Sequence, residues 1–476
     1  MGAGIKPPIA ADIHRGNETP SVATGIHSSG KRRVRSSVIP STASDHVALG
    51  NFLTEIFGSG YPVEFQSSLD NPCSSPANRL LLRRMGRLIA HVQVTRRIMQ
   101  FGSLSLPVAG LHGLAAAENC RRQGLGTHLL LAAERQMAQS GALVGLLRTR
   151  IPHFFRRTGW ALCGGSVGCA ATPHAVLARL LEQGLGLRRN GRIQVRPWRR
   201  WEEDAVARVY RQNLSGSYGL LERSRPYWHW LLERKAYDQF YVALDGPDLW
   251  DLKESSTRLV GYAAIKGERI VELVTVPDRQ KAAMELLARA CGDAIEQDHR
   301  RIALHVPAGS PLAAYFRGQP DSRTPSTPES FLPEPPRAAC SPQSYQALEA
   351  GPQQAEYCMA RLLNPLGLLR MLCGMFVQRA AEAGLAQPLE LGLLVDGRKF
   401  QIEVAGGGRA TADTLGRSYL HLNVADFTRL VLGQLDWDRA LEEGRVVPST
   451  GLARDAGRVL FPTLPFWRPL LDDLRA

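Results

Sequence analysis

The 476-residue chain carries 58 Lys and Arg against 44 Asp and Glu, a formal net charge of +14, with 44% apolar and 21% charged residues. That length exceeds what one hydrophobic core organises, so two to four domains are expected of a globular chain, and no apolar run reaches the ~18–20 residues that a bilayer-spanning helix needs. The eight cysteines (73, 120, 163, 169, 291, 340, 358, 373) show neither C-x-x-C pairing nor metal spacing, and the first forty residues lack the apolar stretch of a secretory signal, so a cytoplasmic protein with free thiols and no metal is expected.

Residues 1–36 read as a disordered basic tail, polar and without periodicity, with one compact cluster at Lys31-Arg32-Arg33-Val34-Arg35. No basic stripe is interleaved with aromatics, so nucleic acid is not expected as the main partner; a diffuse positive surface suits a small polyanion instead. In the first unit (37–190), Asp45–Phe57 has helical spacing with Ser44 as its cap, and Arg79–Arg83 and Arg87–Val92 form strands turning near Gly86. Leu104–Ala117 is a strand, Thr127–Ser140 a helix with Leu129, Ala133 and Met137 on its buried stripe, and Ala142–Leu147 a second strand. Phe154-Phe155-Arg156-Arg157-Thr158-Gly159-Trp160 follows, then a connector (165–190) with a helix at Ala175–Glu182.

A second unit (191–318) opens with a strand over 192–198 and repeats the strand–helix–strand order at Ile270–Val276, Gln280–Gln297 and Ile302–Val306; its turn, Pro277-Asp278-Arg279, has no glycine. A Pro-rich linker (319–337) precedes a third unit (338–476). There Tyr357–Leu363 is a strand, Pro365–Ala383 a helix stopped by Gly384, and Leu389–Val395 with Lys399–Val404 a hairpin turning at Asp396-Gly397. The expected class is α/β.

The stretch Arg121-Arg122-Gln123-Gly124-Leu125-Gly126-Thr127 joins a strand to a helix N-terminus. Gly124 and Gly126 remove Cβ atoms so that backbone N–H groups can close on an anion, the first helical turn leaves its donors unpaired, and the arginines add charge. The spacing is neither the dinucleotide fingerprint nor the P-loop. Thr127 is either a phosphate-binding hydroxyl or the helix cap, and the two roles are compatible.

This turn, with the aromatic helix behind it, resembles the pyrophosphate loop of the GCN5-related N-acetyltransferases (GNAT), which bind acetyl-CoA. Two such units followed by a third, together with Tyr218-Gly219-Leu220-Leu221-Glu222-Arg223 and Trp228, resemble the enhanced-intracellular-survival (Eis) type, whose third unit is similar to a sterol carrier fold. The resemblance spans about residues 37–476. It implies two tandem GNAT-like mixed-sheet units, acetyl-CoA as cosubstrate, and transfer of the acetyl group to a small-molecule or lysine amine by direct attack. It also implies a homo-oligomer, commonly a hexamer. Leu114-Ala115-Ala116 falls on the family's pantetheine strand, and Arg121, Arg122, Gln123, Gly124, Leu125, Gly126 and Thr127 on its pyrophosphate loop. Phe155 stands where the family has its Tyr acid and cannot protonate a thiolate; nearby His153 is either a surface helix cap or a substitute. The family's base is the chain's terminal carboxylate, here that of Ala476, with Asp472, Asp473 or a merely solvated tail as alternatives. An acyl-CoA sensor without turnover is the other reading.

Overall fold

The computed structural model describes residues 37–164, 167–184, 193–246, 257–307, 309–316 and 357–473. The expected basic tail, the Pro-rich linker and Ala476 lie outside the described residues. The chain lays down β1 (Val38–Pro40), α1 (His46–Phe57), α2 (Tyr61–Leu69), β2 (Arg79–Arg84), β3 (Arg87–Phe101), β4 (Leu104–Ala116), α3 (Leu125–Gln139), β5 (Val144–Thr149), α4 (Pro152–Arg156) and β6 (Ala161–Leu162). Next come β7 (Val167–Ala171), α5 (Pro173–Glu182), β8 (Ile193–Pro197), α6 (Glu203–Gln212), β9 (Tyr218–Leu221), α7 (Arg225–Glu233), β10 (Gln239–Asp245), β11 (Arg258–Lys266), β12 (Arg269–Thr275), α8 (Gln280–Glu296) and β13 (Ile302–Val306). The last stretch holds β14 (Tyr357–Leu362), α9 (Pro365–Glu382), β15 (Leu389–Val395), β16 (Arg398–Val404), β17 (Arg409–Ala412), β18 (Tyr419–Leu422), α10 (Val424–Val431), α11 (Trp437–Glu442), β19 (Val446–Pro448) and α12 (Gly451–Leu460).

Three mixed sheets result, in the orders β1-β2-β3-β4-β5-β14-β6 with β9 also on β3, β7-β13-β12-β11-β10-β8, and β17-β16-β15-β18-β19. The helix and strand positions follow the apolar spacing closely, but sheet membership departs from the expected boundaries. β14, expected in the third unit, inserts between β5 and β6, pairing Cys358 with Arg148 and Met359 with Leu162. β7, expected in the connector of the first unit, pairs with β13 instead. The physical reason is that a strand joins whichever edge is open to its ladder, and the spacing of apolar residues locates a strand without naming that edge. The helix expected to start after Ser44 begins at His46, because Ala43–Asp45 form a 3-10 turn that Thr42 caps, its backbone N–H and hydroxyl both reaching the Asp45 carboxylate at 2.8 and 2.9 Å; Asp45, not Ser44, then holds the cap position of α1.

One core joins the first and third sheets. Met99, Phe101 and Leu106 pack with Leu369 and Phe376 of α9 and with Leu391 and Leu393 of β15. A second core sits under α3, where Trp160 is fully buried and donates from Nε1 to Glu134 at 2.8 Å. Its ring lies 2.9 Å from where a Cβ on Gly145 would be, so β5 accepts glycine only at that point.

Candidate functional site

The site forms where β4 parts from β5. The two run parallel from Val108↔Val144 to Leu111↔Leu147 and stop pairing there, although β4 continues to Ala116. β5 turns instead to β14, to which Arg148 and Thr149 remain paired. Among the described residues the β5-side edge of Leu114, Ala115 and Ala116 therefore has no strand partner. On its other side β4 pairs with β3, and the register slips: Ala115 faces His91 while His112 faces Gln93, which leaves one extra residue in β4. Such a bulge bends the strand and increases its twist. Gly113 sits in it at φ +57°, a conformation that favours glycine.

At the end of β4 comes the turn. Gly124 caps α3 in the left-handed conformation, at φ +78°, and Arg122 adopts φ +61° without being glycine. Among the described residues none of the N–H groups from Arg122 to Thr127 meets a protein acceptor, while His128 N–H closes the first helical bond onto Gly124. Arg121, Arg122, Gln123 and Thr127 are exposed, and Leu125 is buried as the anchor of the turn. Gln123 is held from below, accepting from Arg84 Nη2 at 3.1 Å and donating to the Asn119 carbonyl at 3.3 Å. Thr127 is the third residue of α3, so the capping role belongs to Gly124 and the threonine hydroxyl is not engaged in it.

The aromatic pair divides its work. Phe154 reaches the turn, its ring 3.4 Å from where a Cβ on Gly126 would stand. Phe155 is buried, edge-on to Phe154 and Trp160 with centroids 4.9 and 6.1 Å away. His153 is half-buried in α4, whose cap position is Ile151 and whose start carries no side-chain cap.

Sequence reasoning missed three groups around β4. His91 is fully buried with Nδ1 2.9 Å from the Gly113 carbonyl, and burial pushes its pKa down to about 3. His112 Nε2 lies 3.0 Å from Thr95 Oγ1, and burial pushes its pKa down to about 4 against the opposing pull of Asp473. The Tyr61 hydroxyl lies 3.5 Å from where a Cβ on Gly113 would be. A signal was present: His91, Gln93 and Thr95 alternate with Ala90, Val92 and Val94, giving β3 one polar face that is nonetheless buried.

The C-terminal segment reaches this region. Trp467 N–H bonds the Tyr218 carbonyl at 2.8 Å, and Arg148 donates to Asp473 at 2.5 Å. Asp472 pairs with Arg223 at 2.7 Å and with Arg97 at 3.2 Å, and Arg223 pairs further with Glu272 at 2.6 Å. The tail up to Asp473 is thus buried and not merely solvated. Burial raises the affinity of both aspartates for protons, but the surrounding arginines outweigh it and hold both carboxyls below the usual range. Carboxylates fixed in that way are poor general bases.

Residues 37–163 match the family described as an acetyltransferase (GNAT) domain. The chain therefore carries a GNAT acetyltransferase domain, comprising β1–β6 and the turn just described. Across nearly its whole length it shares the fold of the GCN5-related N-acetyltransferase from Anabaena variabilis ATCC 29413, with a TM-score of 0.64, 16% identity, and 91% of this chain and 99% of that chain covered. It is similar in the same way to the GCN5-related N-acetyltransferase from Kribbella flavida (TM-score 0.63, 15% identity, 91% and 97% covered). Eis1 from Mycobacterium abscessus is a further fold relative (TM-score 0.55, 17% identity, 90% and 99% covered). No curated protein matches the sequence. Among the described residues no helix is long and apolar enough to cross a membrane, and no group of His, Cys, Asp and Glu is arranged to hold a metal.

Proposed function

We propose that the protein is an N-acetyltransferase that moves an acetyl group from acetyl-CoA to a primary amine by direct attack. The observation that carries this reading is the unpaired end of β4 beside a turn of free N–H groups. A pantetheine arm needs an open strand edge, and a pyrophosphate needs converging donors at a helix N-terminus. Leu114, Ala115 and Ala116 would pair with the pantetheine amides. Arg121, Arg122 and the turn from Gln123 to Thr127 would hold the pyrophosphate.

Acetyl-CoA supplies an already activated thioester, so the protein's task is placement and charge stabilisation. The amine nitrogen forms a bond to the acetyl carbon, the C–S bond breaks, and the amine proton is lost as the thiolate gains one. Phe155 supplies no proton, and its place in the core keeps it from the reacting atoms. The Tyr61 phenol, close to Gly113, is the hydroxyl at hand for that step. Assembly into a homo-oligomer, a hexamer as in Eis-type enzymes, is part of the same reading.

Calorimetric titration of acetyl-CoA into the wild type and Gly124→Asp tests it. Asp tolerates the left-handed conformation better than most residues and meets open space there, so the variant adds chiefly a negative charge to the turn. Binding lost in the variant, with thiol released from the wild type on adding an amine from a panel, supports the transferase. Absence of binding to the wild type overturns it. Binding without thiol release would favour the sensor, the reading that the missing Tyr hydroxyl at Phe155 suggests.

A further inference from the structure

His91 is a buried imidazole that none of the steps above uses. Its Nδ1 lies 2.9 Å from the Gly113 carbonyl oxygen, which can only accept, so the ring is the Nδ1–H tautomer. Among the described residues its buried Nε2 meets no partner, so this one bond is what the ring makes there on either nitrogen. A pKa of about 3 keeps it neutral and far too weak to act as a base near neutral pH.

The carbonyl it holds belongs to the bulge. Gly113 has φ +57° and no place in the β3–β4 register, so the ladder does not fix its peptide plane. The only cis bond among the described residues is Gln387–Pro388, so the Gly113–Leu114 peptide is trans. In a trans peptide the C=O and the following N–H point opposite ways across one plane. With the Gly113 carbonyl turned to the His91 ring, the Leu114 N–H points away from that ring, in the stretch of β4 whose β5-side edge is unpaired.

Resting on the acetyl-CoA reading above, we propose that His91 is a positioning residue: by gripping the Gly113 carbonyl it aims the Leu114 N–H at the thioester oxygen, where negative charge develops during transfer. Its neutral tautomer suits the task, because a donor fixed by a second bond needs no reorganisation as charge forms.

The test reads the carbonyl stretch of acetyl-CoA, labelled with ¹³C at the acetyl carbonyl, bound to the full-length protein. His91→Asn keeps an N–H donor near the Nδ1 position, His91→Gln moves it one bond further out, and His91→Leu removes it. The wild type and His91→Asn are expected to lower the stretch relative to free acetyl-CoA. In His91→Leu and His91→Gln that shift is lost, the affinity for acetyl-CoA is kept, and kcat falls about 10²-fold, as for loss of one oxyanion donor. Should His91→Leu not fold, His91→Gln gives the same reading. A bound stretch equal to that of free acetyl-CoA in the wild type, or a lowered stretch retained in His91→Leu or His91→Gln, overturns the inference while leaving the transferase standing. Failure of the wild type to bind acetyl-CoA overturns both.

Discussion

At the scale of single residues, the fully buried His91 and the half-buried His112 make stability depend on pH in a defined window. Each is neutral in the fold, with a pKa lowered by burial to about 3 for His91 and about 4 for His112. In the unfolded chain both titrate near ~6.5. Between those values the unfolded state binds more protons, so stability rises with pH and is lost as the solution is acidified. The slope is roughly 1.4 kcal/mol per pH unit for each imidazole. Above about pH 5 Asp472 adds nothing to this slope, because its pKa is held below the ordinary carboxylate value of ~3.9 and its contribution is lost only at lower pH. His112→Gln keeps a donor for Thr95 and removes one titration. Its unfolding free energy, measured in urea at pH 7, 6 and 5, is expected to fall with acid less steeply than that of the wild type, by about 0.7 kcal/mol between pH 7 and 6 and by a value approaching about 1.4 kcal/mol between pH 6 and 5. An unchanged slope would mean that the His112 ring is already protonated in the fold.

At the scale of elements, the turn and α3 separate affinity from stability. Arg122 holds φ +61°, a strain of ~1–2 kcal/mol for a residue with a Cβ. Glycine there relieves it but loosens the unfolded chain by a comparable ~0.4–1 kcal/mol. Arg122→Gly is therefore expected to melt no lower than the wild type, yet to bind acetyl-CoA roughly ten- to hundredfold more weakly, since one charge-assisted phosphate contact contributes about 1.5–3 kcal/mol. Melting curves and calorimetry on the same sample check both halves, and a lower melting point would show that the arginine side chain holds the turn. The turn was legible because its chemistry is local: glycines, arginines and a helix start lie within seven residues. The strand before it and the helix after it were legible from their apolar spacing, to within two residues at most ends. What remained hidden depends on partners distant in sequence. Nothing in Tyr357–Leu362 says that it will lie against Val144–Thr149. Nothing in His91 says that a bulge 22 residues later will offer it a carbonyl.

At the scale of the whole molecule, the C-terminal segment ties the first and second sheets together through buried charge. Arg97 comes from β3, Glu272 from β12, Arg223 from the segment after β9, and Asp472 from the tail. These two arginines and two carboxylates sum to zero charge, and all four side chains are buried or nearly so. Gly219 lets the tail approach this closely: at φ +109°, its missing Cβ would stand 2.5 Å from the Trp467 carbonyl oxygen. Removing one carboxylate leaves an uncompensated buried cation, which costs about 3–5 kcal/mol, whereas removing an opposite pair leaves no unbalanced charge. Asp472→Asn is therefore expected to lose that much stability in urea unfolding. Because the site is buried, added salt restores little of it, unlike the exposed turn. Arg97→Met with Asp472→Leu leaves Arg223 balanced by Glu272, and this double variant is expected to be more stable than Asp472→Asn alone. A loss below about 1 kcal/mol in Asp472→Asn would place the network among solvated surface pairs. A double variant weaker than the single one would show that the tail is held by the shape of these side chains and not by their charge.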